Sequence, residues 1–192
     1  TRLQGDWSSD VCSSDLQEWV IIESPMIVRL TFMVALLALS WAQWWVYAPR
    51  LPERMASHFS ASGAPNGWSS PTQFFGLIFA LNGLYLLIFL LSPLLIKIVP
   101  ARFVNLPNRA YWLTPERLPL AMRRMGSLML EFAIMSQLLM AYAVQLVIQA
   151  NLGSPVQLSS HLTVALIGYL VFVCFWCFRY YRGFAVPNRS DS

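Results

Sequence analysis

Four apolar runs, at residues 27–47, 74–98, 127–148 and 162–178, limit this chain more than anything else in it. Each is close to the ~20 residues that a helix needs to cross the hydrocarbon of a bilayer, and the loops between them, about 26, 28 and 13 residues long, leave every run free to turn back. Lipid offers a backbone no hydrogen-bond partners, so runs of this kind have to be helices. The composition agrees: 57% of the 192 residues are hydrophobic and 11% charged, against roughly 25% charged in a soluble domain. The expected fold class is an all-α membrane protein with four transmembrane helices, and its first partner is the lipid bilayer.

The few charges orient it. The first run closes on Trp41, Trp44, Trp45 and Tyr47, and the fourth runs into Tyr180 and Tyr181, side chains that favour the membrane interface. Lys97, Arg102, Arg109, Arg117, Arg123 and Arg124 cluster in and beside the second loop, Arg179, Arg182 and Arg189 follow the last run, and Arg29 precedes the first. Only Arg50 and Arg54 fall on the other side. Loops rich in Lys and Arg stay cytoplasmic, so both termini and the middle loop (99–126) are expected inside, and the first loop (48–73) and the third outside. The alternative, a cleaved signal peptide at 26–48, conflicts with a Trp-rich end that lacks a small-residue cleavage site. Scattered basic residues make no nucleic-acid footprint, which needs a clustered basic face.

Residues 1–16 are set apart. Asp6-Trp-Ser-Ser-Asp-Val-Cys-Ser-Ser-Asp-Leu16 resembles a translated reading frame of a sequencing adapter, and is excluded as a non-native segment. Without residues 1–16 the formal charge rises from +4 to +6 and Cys12 is lost. Residues 17–192 then form one four-span domain, whose natural start is Met26 or lies upstream of the break.

The loops carry their own signals. Ser70-Pro71-Thr72-Gln73 is a capping box with proline at the first helical position. In the outer loop, Met55-Ala56-Ser57-His58-Phe59 alternates as a short strand does, and Gly63 and a Pro65-Asn66-Gly67 turn follow. In the middle loop, Thr114-Pro115-Glu116 is expected to cap a short interfacial helix that Pro119 then kinks before the third span. Tyr111, Trp112 and Leu113 beside Arg109, Arg117, Arg123 and Arg124 suit an anionic leaflet.

The pattern Leu51-Pro52, His58-Phe59, Gly63-Ala64-Pro65 and Gly67-Trp68 resembles domain of unknown function 1648, found in the N-terminal half of SdpI-type immunity proteins. The middle-loop string Asn105-Leu106-Pro107-Asn108 and Tyr111-Trp112-Leu113-Thr114-Pro115-Glu116-Arg117 is similar to a second motif in shorter members of that family. The resemblance implies a bacterial inner-membrane protein with no established enzymatic activity and no cofactor. It also implies a binding, sensing or immunity-type role towards a peptide toxin or envelope component. The resemblance also implies a further C-terminal membrane region in SdpI-type members, beyond the four spans expected here. The candidate outer binding site is Pro52, Glu53, His58, Gly63, Gly67 and Trp68. The cytoplasmic motif is Asn105, Pro107, Asn108, Tyr111, Trp112, Pro115 and Glu116.

Other residues carry weaker signals. Glu131 lies about two turns inside the third helix, where ionisable groups are costly; it either pairs with Arg123 or Arg124, or joins Ser127, Gln145 and Gln149 in a polar stripe for a small transporter or its accessory subunit. His58, His161 and Glu53 share the outer side and could supply three zinc ligands, but no metal-binding spacing supports them, and no metal is expected. Cys174 and Cys177 have redox spacing but lie in hydrocarbon, where thiols pack as small apolar groups. Gly76, Ala80 and Gly83 form a small-residue stripe suited to close approach of another helix, in this chain or in a homo-oligomer. No nucleophile triad, P-loop or dinucleotide fingerprint appears, so no enzyme is expected.

Overall fold

The computed structural model describes residues 10–100 and 103–186, with side chains from residue 27 onward except at 29–30, 89–90 and 92–97. The side chains of the adapter-like segment 6–16, and those of Arg29, Lys97, Arg102 and Arg189, fall outside that description. Along the chain run α1 (Asp10–Tyr47), a 3-10 turn (Ala48–Arg50), β1 (Met55–Phe59), β2 (Pro65–Ser69), α2 (Pro71–Ile98), α3 (Arg109–Trp112), α4 (Leu118–Leu152) and α5 (His161–Gly183). Among the described residues, four helices are long and apolar enough to cross a membrane, α1, α2, α4 and α5, matching the four apolar runs.

Local chemistry sets the helix ends. The Ser70 amide donates to Gln73 Oε1 (3.1 Å) and the Gln73 amide to Ser70 Oγ (3.2 Å), so the capping box closes reciprocally and α2 starts at Pro71. The middle loop departs from expectation. Thr114-Pro115-Glu116 forms a turn instead of a helix start, with the Leu118 amide donating to Thr114 O (2.9 Å), and α4 opens at Leu118. Pro119 therefore falls in the first helical turn, where a missing N–H leaves no intrahelical bond unmade, and the expected kink does not form. The short interfacial helix is instead the single turn α3, which precedes that turn. At 35 residues α4 is about 52 Å long, more than the ~30 Å of a hydrocarbon core.

α4 is the central element, packed against α1, α2 and α5. Three layers stack along it. At the hairpin end, Leu51, Met55, Phe75, Val144, Val147 and Ile148 bury together, with Trp44 edge-on to Phe75. Deeper, Met33 of α1 meets Leu130 and Ala133 of α4. At the far end, Leu106, Trp112, Ala121, Met125, Leu128 and Phe184 form the third cluster. Between the first two layers lie polar side chains. Gln43 donates to Ala141 O (3.0 Å) and to Gln145 Oε1 (3.1 Å), and Asn82 donates to Ser40 Oγ (3.3 Å). Helices in lipid gain no hydrophobic drive for pairing, so such bonds and close packing hold them together. No residue of α5 is buried, and Ile167, Leu170 and Val171 point outward as lipid-facing side chains do.

Candidate functional site

The outer loop is a docked β-hairpin. β1 and β2 pair antiparallel with Met55 opposite Ser69, Ala56 opposite Trp68, His58 opposite Gly67 and Phe59 opposite Pro65, with bulges around His58. The turn lies earlier than expected. Ser60 N–H donates to Ala64 O (2.8 Å) and Gly63 N–H to Ser60 O (2.9 Å), with Gly63 at φ +83°, a left-handed conformation that favours glycine. Pro65, Asn66 and Gly67 belong to β2. Gly67 is needed for a different reason: a Cβ there would stand 2.9 Å from the His58 Cβ across the ladder.

Two contacts fasten the hairpin to the bundle. Ala56 is wholly buried, and its backbone is matched by one side chain: Asn151 Oδ1 accepts from Ala56 N–H (2.6 Å), and Asn151 Nδ2 donates to Ala56 O (2.8 Å) and Val147 O (2.9 Å). At the turn, the Leu158 amide of the third loop donates to Gly63 O (2.9 Å). Between the hairpin turn, the third loop and the start of α5 lies a groove of about 600 Å³. Ser60, Ser62, Gly63 and Phe59 line one side, and Gln157, Leu158, Ser159, Ser160, Leu162 and Thr163 the other. Hydroxyl groups and apolar side chains alternate around it, which suits a chain with both polar backbone and apolar side groups.

The expected outer-site residues are split by this geometry. Gly63 lines the groove. Pro52, Glu53, His58 and Trp68 are exposed elsewhere on the hairpin end, with the Arg54 guanidinium 5.8 Å from the Trp68 ring. Among the described residues no three His, Cys, Asp or Glu side chains gather as a metal site, so His58, His161 and Glu53 do not form the three-ligand set. Sequence reading missed Asn151 and the third-loop residues Gln157 to Ser160. The signal available was an asparagine in the last turn of an apolar helix, two residues before Gly153-Ser154-Pro155.

The middle-loop motif builds the opposite end. Asn108 adopts a left-handed conformation (φ 52°, ψ 39°) that asparagine tolerates. Its Nδ2 and Trp112 Nε1 each donate to Phe184 O at 2.9 Å, while Tyr180 Oη donates to Asn105 O (2.8 Å). Phe184 is fully buried and stands edge-on to Trp112. The motif therefore grips the end of α5. Arg117 lies 4.0 Å from the Tyr111 ring, and Arg124 stacks 4.9 Å from Trp112 while donating to Gly183 O. Pro107 is half-buried beside Leu106 and Pro115 is exposed in the turn. Glu116 is exposed, and hydrogen bonding to backbone, helped by the charge of Arg117, holds its carboxyl below the usual 4.5.

Within the bundle, Glu131 pairs with Arg179 of α5 (2.6 Å), a partner the sequence did not suggest, and a second, longer contact joins the same groups (3.5 Å). Gln145 turns to Gln43 and Tyr47 Oη (3.4 Å) on the α1 side. Glu131 and Gln145 thus have partners on different helices, about 21 Å apart along α4. Gln137, absent from the expected stripe, is buried with neither amide atom bonded among the described residues. Cys174 and Cys177 are free thiols. Gly76 and Gly83 have no atom within 4 Å of a built Cβ, so no described residue covers the small-residue stripe of α2.

These features define a multi-pass membrane protein whose structured sites sit in its loops at the two ends of a helical bundle. Residues 35–82, from the middle of α1 through the hairpin to Asn82 of α2, match the family model described as Domain of unknown function (DUF1648), and the chain carries that domain. No curated protein and no solved structure matches the chain.

Proposed function

We propose that the protein acts by binding at its outer face, as a bacterial inner-membrane sensing or immunity-type protein of the SdpI-like kind. In this reading both termini and the Trp112 end are cytoplasmic, and the hairpin end faces outward. Its ligand is a membrane-active peptide or an envelope component. One observation carries the reading: the hairpin and the third loop that border the groove are fixed by the Gly63–Leu158 backbone bond and by the Asn151 side chain on the Ala56 backbone, so a ligand meets a preformed site. Preformed sites bind without the entropy cost of ordering loops. Transport along Glu131 and Gln145 has less support, because both side chains are already paired with other helices.

The test is a challenge of cells expressing the intact chain with membrane-active peptides. Protection above the empty vector, abolished by Gly63→Val while the protein level in the membrane is unchanged, is the expected result. Survival equal to the empty vector counts against the immunity role, and unaltered protection by the Gly63 variant counts against the groove.

A further inference from the structure

We propose that the cleft between the start of α4 and the end of α5 holds the phosphate of an anionic phospholipid. The cleft, of about 530 Å³, is lined by Arg123 and Arg124 of α4 and Arg179 and Arg182 of α5. Four guanidinium groups face one neighbouring carboxylate, Glu131, so the site keeps a large positive excess. Arg124 is fixed by the Gly183 carbonyl and the Trp112 face, and Arg179 by Glu131. They form immobile cationic walls. Arg182 has no side-chain partner among the described residues, and Arg123 is exposed at the rim. A planar guanidinium that need not first leave a partner can take a phosphate through two parallel hydrogen bonds.

A phospholipid, in place of a free phosphate ion, follows from what surrounds the cleft. Its depth along the helices is interfacial, since Arg123 lies five residues from the start of α4 and Arg182 at the last turn of α5. Leu120 and Leu128 line it beside the arginines, and Leu120 and Phe175, whose ring lies 5.9 Å from the Arg179 guanidinium, are exposed apolar groups. A soluble anion would leave that apolar rim in water, whereas a lipid places glycerol and acyl carbons against it. Basic pockets between helices at the membrane surface recognise acidic headgroups by this combination.

Native mass spectrometry of the full-length protein in detergent, titrated with cardiolipin, phosphatidylglycerol or phosphatidylcholine, tests this. Wild type is expected to retain cardiolipin or phosphatidylglycerol over phosphatidylcholine. Arg123→Gln/Arg182→Gln is expected to bind the anionic lipid roughly thirtyfold more weakly, since each arginine near an anionic surface contributes about fivefold. Arg182 is distinct from the arginines that anchor the fold, and circular dichroism checks that the double variant is folded. Arg50→Gln/Arg54→Gln, at the hairpin end, is expected to leave retention unchanged. Equal retention by the cleft variant, equal binding of phosphatidylcholine, or displacement of the lipid by millimolar inorganic phosphate would each overturn the proposal, the last by showing a site for free anion.

Discussion

Replacing Asn151 by leucine, which keeps the side chain's size and removes its polarity, separates the hairpin's docking from its folding. In the native protein Asn151 answers both the N–H and the C=O of Ala56, at 2.6 and 2.8 Å, and Ala56 itself is fully buried. The third bond, to Val147 O, is dispensable because that carbonyl already serves the helix ladder. The leucine variant therefore leaves two buried backbone groups without partners, at about 1–3 kcal/mol each. The docked hairpin should lose about 2–6 kcal/mol, which is at least a thirtyfold rise in its open population at about 1.4 kcal/mol per tenfold. Hydrogen exchange by mass spectrometry reads this directly: peptides covering residues 55–69 should exchange at least about thirtyfold faster, while those from the centre of α4 stay protected. Unchanged protection of the hairpin would show that apolar burial of Met55 and Phe75 alone holds it, and would refute the role given to Asn151.

Further outcomes follow from other contacts. Gly63→Ala combines a left-handed backbone with a Cβ 2.6 Å from Leu158 O, so it should cost about 1–2 kcal/mol from conformation alone and loosen the third loop, seen as faster exchange at residues 157–160. Trp112→Phe removes one of two donors to Phe184 O and should lower stability by about 0.5–1.5 kcal/mol; adding Asn108→Ala should cost more than either change alone, measured by thermal unfolding in detergent. Glu131→Gln removes the carboxylate that pairs with Arg179 at 2.6 Å and should lower the melting temperature in detergent, because a charge in a span is costly without its partner; an unchanged melting temperature would show that the pair contributes nothing to stability. Glu116 titrates below its usual 4.5 in the folded protein. Its contribution is therefore present above that value and lost as pH falls through the lowered one, so the stability difference between wild type and Glu116→Gln should be constant at neutral pH and shrink on acidification.

The spans were readable because apolar length is a property of sequence alone, and the capping box because Ser70 and Gln73 act within one turn. The hairpin strand at Met55–Phe59 was also readable, from alternation. Its turn was misplaced because Pro65-Asn66-Gly67 has turn composition, while the register is set by the close approach of Gly67 to His58 and by the left-handed Gly63. Pro119 was read as a kink because its effect depends on where the helix starts, and that start was set by the Thr114 turn. Asn151 and Arg179 were beyond reach for a simpler reason. Their partners, Ala56 and Glu131, lie 95 and 48 residues away, and no local pattern marks such a pair.

Cysteine labelling in intact cells tests most directly whether the two structured loop sites lie on opposite faces with the groove outermost. In a background with Cys12, Cys174 and Cys177 replaced by alanine, Ser62→Cys reports on the groove and Ala110→Cys on the Trp112 end. A membrane-impermeant maleimide should label position 62 in intact cells and position 110 only after permeabilisation. Labelling of both positions in intact cells, or of position 110 alone, would contradict the arrangement and remove the outward-facing site on which the proposed function depends.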